Sequence, residues 1–146
     1  MSGFLLDTDA ISLFYRTGAS PGFSEWMSRQ EERNAVYLSA VTIHEIEKGI
    51  RLLDHKGAVA KASAIRAWLL GLVAGYGANI LPLDAAVAGM SGELEAAAIA
   101  AGHAPGAADA MIAGTAKHHG LTVITRNDRH FRHFGISVLS PDRIGA

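Results

Sequence analysis

Along the chain, short apolar runs alternate with longer segments whose apolar residues recur at helical spacing. Residues 3–6 are such a run, ending at Asp7, and residues 10–15 follow as a helix. Residues 16–22, with two glycines, a serine and a proline, read as a connection. A helix through Phe23, Trp26 and Met27 comes next, its charged end at residues 29–33 solvated. Residues 36–39 are a second strand, and Ser39 or Thr42 caps a helix that runs to about Leu53 with Lys48 and Arg51 toward its end.

The alternation continues through the second half. Residues 57–76 carry Ile65, Trp68, Leu69 and Leu72 at helical spacing, residues 79–83 return to an extended run, and Asp84 caps the next helix. Residues 85–101 are almost all small or apolar, a composition that lets a helix approach a sheet closely. Residues 103–106 break it. A helix at residues 107–119 is closed by Gly120, residues 121–125 are a strand, and residues 136–139 supply a last one. Alternating units of this kind call for an α/β fold, three layers α/β/α with a mostly parallel central sheet, and ligands at the carboxyl ends of its strands. A length of 146 residues suits one domain, residues 1–146, without repeat or internal linker.

Composition narrows the chemistry. Hydrophobic residues at 49% against 18% charged exclude a disordered chain. No apolar run is long enough to span a bilayer and the start lacks the basic and apolar regions of a signal peptide, so no membrane and a cytoplasmic location are expected. With no cysteine, disulfides, thiolate metal sites and cysteine nucleophiles are out, and any metal must be held by oxygen or imidazole. The 7 histidines form no His-Glu-x-x-His pattern, so a dedicated zinc site is not expected. A net charge of −1 gives no global attraction to nucleic acid.

Acids at the joints of the pattern are the first candidates. Asp7 ends the first strand, where its oxygens suit a cation; an Asp at a helix entry also serves as a cap, though Asp9 is the better cap by sequence order. Glu45 shares a helical column with Val41, Gly49 and Leu52, which sets a carboxylate among apolar neighbours beside a position without a side chain. Glu47, with Arg51 four residues on, is a solvated pair. Asp109 falls in the first turn of its helix, where the dipole alone favours negative charge. Asp128 follows Thr125, Arg126 and Asn127 after a strand, although turn chemistry also accepts Asn-Asp. Together Asp7, Glu45, Asp109 and Asp128 are the donor pattern of a hard cation such as Mg2+ or Mn2+, which takes several oxygen ligands and keeps waters for reaction.

The segments LLDTDAIS, SAVTIHEIEKGI, GAADAMIAGTAKHHGLTVITRND and GISVLSP resemble the PIN domain, specifically toxins of the VapC type, over nearly the whole chain. The resemblance implies that Asp7, Glu45 and Asp109 form an acidic metal site, with an acid near Thr125-Arg126-Asn127 as fourth member; Asp128 is taken for that place and Asn127 is its rival. It implies a ribonuclease that holds Mg2+ or Mn2+ on these acids and activates water against a phosphodiester, with no side-chain nucleophile. Thr8 and Thr125 hydroxyls would assist, and the basic stretch at residues 117–133, with Lys117, Arg126, Arg129 and Arg132, would meet RNA phosphates unless it is a solvated loop. The resemblance further implies a cognate VapB-type antitoxin covering the site and a homodimer, for which the apolar helices around Trp68 and at residues 85–101 offer surface. Trp26 and Trp68 themselves read as core or interface residues, not base-stacking platforms.

Two other functions fit parts of the chain. Asp7-Thr8-Asp9 after an apolar strand matches the nucleophile and acid of a haloacid-dehalogenase-like phosphatase. A catalytically inactive, PIN-like partner-binding module would use the same acids only as caps.

Overall fold

The computed structural model describes residues 2–15 and 18–144, so Arg16 and Thr17 of the predicted first connection lie outside the described residues. In chain order the elements are β1 Phe4–Leu6, α1 Thr8–Tyr15, α2 Pro21–Glu32, β2 Val36–Ser39, α3 Ala40–His55, α4 Val59–Tyr76, β3 Ile80–Leu81, α5 Ala85–Ala100, α6 Ala107–His119, β4 Thr122–Ile124, α7 Asp128–Phe131 and β5 Val138–Leu139. The five strands lie in the order β3-β2-β1-β4-β5, and every pairing is parallel. β1 is central, with Phe4 opposite Val36 on one side and Thr122 on the other. The chain builds outward from β1 to β3, then crosses to β4 on the far side of β1. That reversal opens a crevice at the carboxyl ends of β1 and β4.

The sheet is the middle of three layers because alternate strand residues face opposite sides. Leu6 and Ile124 join the core formed with Ile11, Phe23, Ile50 and Leu72 of α1 to α4. Leu5 and Val123 join the core formed with Leu94, Ala113 and Phe131 of α5 to α7. Local signals in the sequence place the joints. Ser39 Oγ accepts the Val41 N–H at 3.1 Å to start α3, and Asp84 Oδ1 accepts the Val87 N–H at 2.9 Å to start α5. α2 starts at Pro21, inside the predicted connection, because Ser20 caps it and proline suits the first helical turn.

Two expectations change. The basic stretch after β4 is not a bare loop: it coils into α7 and a 3-10 turn over residues 132–134, anchored by Phe131 and Phe134, both buried. The small-residue helix at residues 85–101 packs chiefly on α6. There Ser91 of α5 sits against Gly114 of α6, where a Cβ would stand 2.8 Å from the Ser91 nitrogen. The half-buried Trp26 packs edge-on to Phe4 at 4.6 Å, as a core residue. Among the described residues no helix is long and apolar enough to cross a membrane.

Candidate active site

Asp7 is the first residue beyond β1 and is only 5% exposed. Its N–H donates to Ile124 O of β4 at 3.1 Å, which fixes it at the switch point. Its Oδ1 accepts the Ala10 N–H at 2.8 Å, so Asp7 caps α1, a role the sequence had favoured for Asp9. The reason is the partner of Asp9, which binds Arg126 in two-pronged fashion with Nε and Nη2 both at 2.9 Å. The phosphatase reading needs Asp9 as a free acid, and this clamp occupies it.

Burial pushes the Asp7 carboxyl up from 3.8 to about 6, against the lowering effect of hydrogen bonds from Thr125 and Ala10; the charges of Asp9 and Asp109 add to the rise. Thr125 is fully buried, and its Oγ1 also accepts the Asn127 N–H at 2.9 Å, tying the end of β4 to the turn that follows.

Asp109 stands in the first turn of α6. Burial raises its pKa, the neighbouring Glu45 raises it further, and His130 lowers it. The His130 Nδ1 lies 3.6 Å from Asp109 Oδ2. Glu45, in the middle of α3, accepts from the Thr8 hydroxyl at 2.6 Å, and Thr8 lies 3.3 Å from the Thr42 hydroxyl. Asp7, Asp109 and Glu45 thus form a chain of acids that feel one another across α1, α3 and α6. They are not drawn into a closed set: among the described residues no three carboxylate or imidazole groups are gathered as a ready ligand cage.

Asp128, expected as the fourth acid, is not among the groups that act on Asp7 or Asp109. Asp128 begins α7 and pairs with Arg132 at 3.3 Å, beside a cavity of about 200 Å³ that Ser140 and Arg143 also line. Asn127 caps the same helix without a side-chain hydrogen bond. Arg126 is committed to Asp9, whereas Arg129 and Lys117 enter no ion pair among the described residues. His130 appeared in the sequence only within a basic stretch, and Thr42 only as a possible cap. Their contacts at the site come from α7 folding back toward α6 and from α3 packing beside α1.

A cleft of about 270 Å³ leads away from Glu45 between Thr8, Gly49, Ile50 and Lys61. A Cβ at Gly49 would meet nothing within 4 Å, so the gap beside the acid that the sequence anticipated is present. Gly49→Ala is therefore expected to stabilise α3 by about 0.5–1 kcal/mol through lower unfolded-state freedom, as urea denaturation would measure.

Residues 4–136 match the PIN domain. Toxin FitB of Neisseria gonorrhoeae is 35% identical over 94% of this chain and 96% of its own. The chain belongs to the PIN-domain family. VapC ribonuclease Y4jK of Sinorhizobium fredii is 29% identical over the same shares, 94% and 96%. Among solved structures, FitAcB from Neisseria gonorrhoeae superposes with a TM-score of 0.81 at 32% identity, covering 97% of this chain and 99% of that one. DNA-bound VapBC from Salmonella typhimurium follows with a TM-score of 0.78 at 25% identity, covering 97% and 99%. In this PIN domain the family's parallel sheet sets Asp7 and Thr125 side by side at the crevice, and α3 and α6 bring Glu45 and Asp109 to it.

Proposed function

We propose that this chain, one PIN domain over residues 1–146, is a metal-dependent endoribonuclease toxin neutralised by a cognate VapB-type antitoxin. The observation that carries the proposal is that Asp7 at the switch point feels the charge of Asp109 and Asp109 that of Glu45, with Asp7 and Asp109 both raised chiefly by burial. The names of the relatives, a toxin and a VapC ribonuclease, point the same way.

A hard divalent cation suits this donor set, which offers carboxylate and hydroxyl oxygens with surplus negative charge, in a chain without thiols. Asp7, Glu45 and Asp109 would hold Mg2+ or Mn2+. Asp128 enters as the fourth acid, and its contact with Arg132 is an exposed pair of the kind worth about 0–1 kcal/mol. When bound, such an ion lowers the pKa of water and offsets charge on the phosphate. Asp7 is held in one orientation by Ala10 and Thr125, and Glu45 by Thr8. His130 offers an imidazole nitrogen beside Asp109 where a proton can be held. Of the residues expected to meet substrate, Asn127 and Arg129 remain on that side, Arg129 without an ion pair among the described residues, whereas Thr125 is buried against Asp7, Thr8 holds Glu45 and Arg126 is clamped to Asp9, so these three position the acids. No side chain has to attack phosphorus. A second copy would pack on apolar surface such as Leu70 and Val73 of α4, 70% and 41% exposed.

The test is cleavage of RNA by the purified, chelator-treated protein, with and without added Mg2+ or Mn2+. Products are expected only with metal. Equal cleavage without metal would overturn the mechanism, and intact folding with no cleavage in either case would favour a binding module.

A further inference from the structure

The cleft of about 270 Å³ that leads away from Glu45 also takes in Lys61, an exposed residue in the first turn of α4. Ile50 and Leu53 of α3 and Ile65 of α4 give it apolar walls, and Gly49 leaves space between them. Every carboxylate on the three helices that form the cleft is already engaged. Asp9 of α1 is held by Arg126 at 2.9 Å. On α3, Glu45 accepts from Thr8 at 2.6 Å, Glu47 pairs with Arg51 at 3.0 Å and Asp54 pairs with Arg66 of α4 at 2.6 Å. α4 has no acid of its own. Lys61 enters no ion pair among the described residues.

A cation without a counter-charge, set beside aliphatic walls in a cleft that opens from one of the acids, suits a polyanion that also carries flat apolar rings. A single strand of RNA is such a ligand, because its phosphates alternate with bases whose faces lie against apolar side chains. A strand with a phosphate at the acids continues through its neighbouring nucleotide into the cleft. There the aliphatic side chains meet one base and Lys61 meets one phosphate. A base inside a duplex is stacked on both faces and has none to offer, so the nucleotide must be unpaired. An acidic side chain of a partner protein would also answer Lys61, but continuity with the acids favours the strand.

We propose that this cleft is a subsite for one unpaired nucleotide of single-stranded RNA, next to the scissile bond, with its base against Ile50, Leu53 and Ile65 and a phosphate on Lys61. The assignment rests on the ribonuclease reading above. It adds a substrate-binding residue on α4, outside the basic stretch at residues 117–133.

Binding of a fluorescently labelled single-stranded oligoribonucleotide to the full chain, read by anisotropy in chelator, tests the subsite without cleavage. Saturable binding is expected, and weaker binding of a duplex of the same sequence. Lys61→Gln should weaken binding and lower the slope of log K against log salt by about 0.7, the value for one phosphate contact on a single strand. Gly49→Leu should fill the cleft and weaken binding about tenfold, the scale of one lost base contact, with the salt slope unchanged. Arg29→Gln, in the last turn of α2 before the amino end of β2, should change neither. Lys61 is exposed, so Lys61→Gln carries the test if Gly49→Leu misfolds. In Mn2+ both variants should raise KM more than they lower kcat. No saturable binding, a duplex bound as tightly as the single strand, an unchanged slope in Lys61→Gln, or undiminished binding by folded Gly49→Leu would overturn the subsite, and an unchanged slope would leave Lys61 to a protein partner. If the wild type binds with these differences yet cleaves no RNA in Mn2+, the cleft still binds RNA and the nuclease reading alone falls. Cleavage with the wild-type KM in both variants removes the subsite and leaves the nuclease.

Discussion

Asp7→Asn should cut RNA cleavage by about 100-fold or more, since losses in the outer shell of a metal site already cost 10–100-fold, and should at the same time stabilise the metal-free protein. Both effects come from one buried carboxylate. In the folded chain its pKa is about 6 against an ordinary 3.8. A raised acid favours the folded state while protonated, so the benefit is complete below pH 3.8 and is lost as pH rises through about 6. Two units correspond to about 3 kcal/mol. The metal-free wild type should therefore lose stability between pH 4 and pH 7 through this group, a slope that Asp7→Asn should flatten. Asparagine keeps an oxygen for the Ala10 N–H, so α1 retains its cap. Urea denaturation across that pH range and initial cleavage rates in Mn2+ are the measurements. A variant that cleaves like the wild type, or that keeps the slope, would remove Asp7 from the centre of the site.

Gly114→Ala should destabilise the protein by about 1–3 kcal/mol, the range for overpacking, even though alanine is the better helix former by about 1 kcal/mol. The added Cβ would meet the Ser91 side chain and stand 2.8 Å from its nitrogen and 2.9 Å from its Cα. Ser91 is buried and its hydroxyl donates to Val87 O at 2.8 Å within α5, so it has nowhere to retreat. Because the obstacle includes backbone, the double variant Ser91→Gly with Gly114→Ala should recover only part of the loss. Urea melts of the single and double variants would read this, and a Gly114→Ala protein as stable as the wild type would show that α5 moves freely on α6. The same change at Gly49 has the opposite expected sign, because that glycine faces open space.

Period and punctuation along the chain made most of the architecture readable. Short apolar runs alternating with helical segments read as strands of a parallel sheet, and Ser39, Asp84 and Gly120 act through hydrogen bonds and backbone angles reaching a few residues. The places of Asp7 after a strand, of Glu45 within a helix and of Asp109 in a first helical turn were readable for the same reason, being local properties. Pairing over long separations was not readable. Arg126 lies 117 residues from Asp9, and nothing near either position in the chain announces that they clamp each other and leave Asp7 to cap α1. α7 escaped because it is one turn long, too short for a period to register, and is held by Phe131, and by Phe134 just after it, in the core shared with α5 and α6. The partners of Asp128 and His130 belong to the same class. Each depends on where separate helices come to rest, which is set by the packing of side chains from distant parts of the chain rather than by the preferences of any one segment.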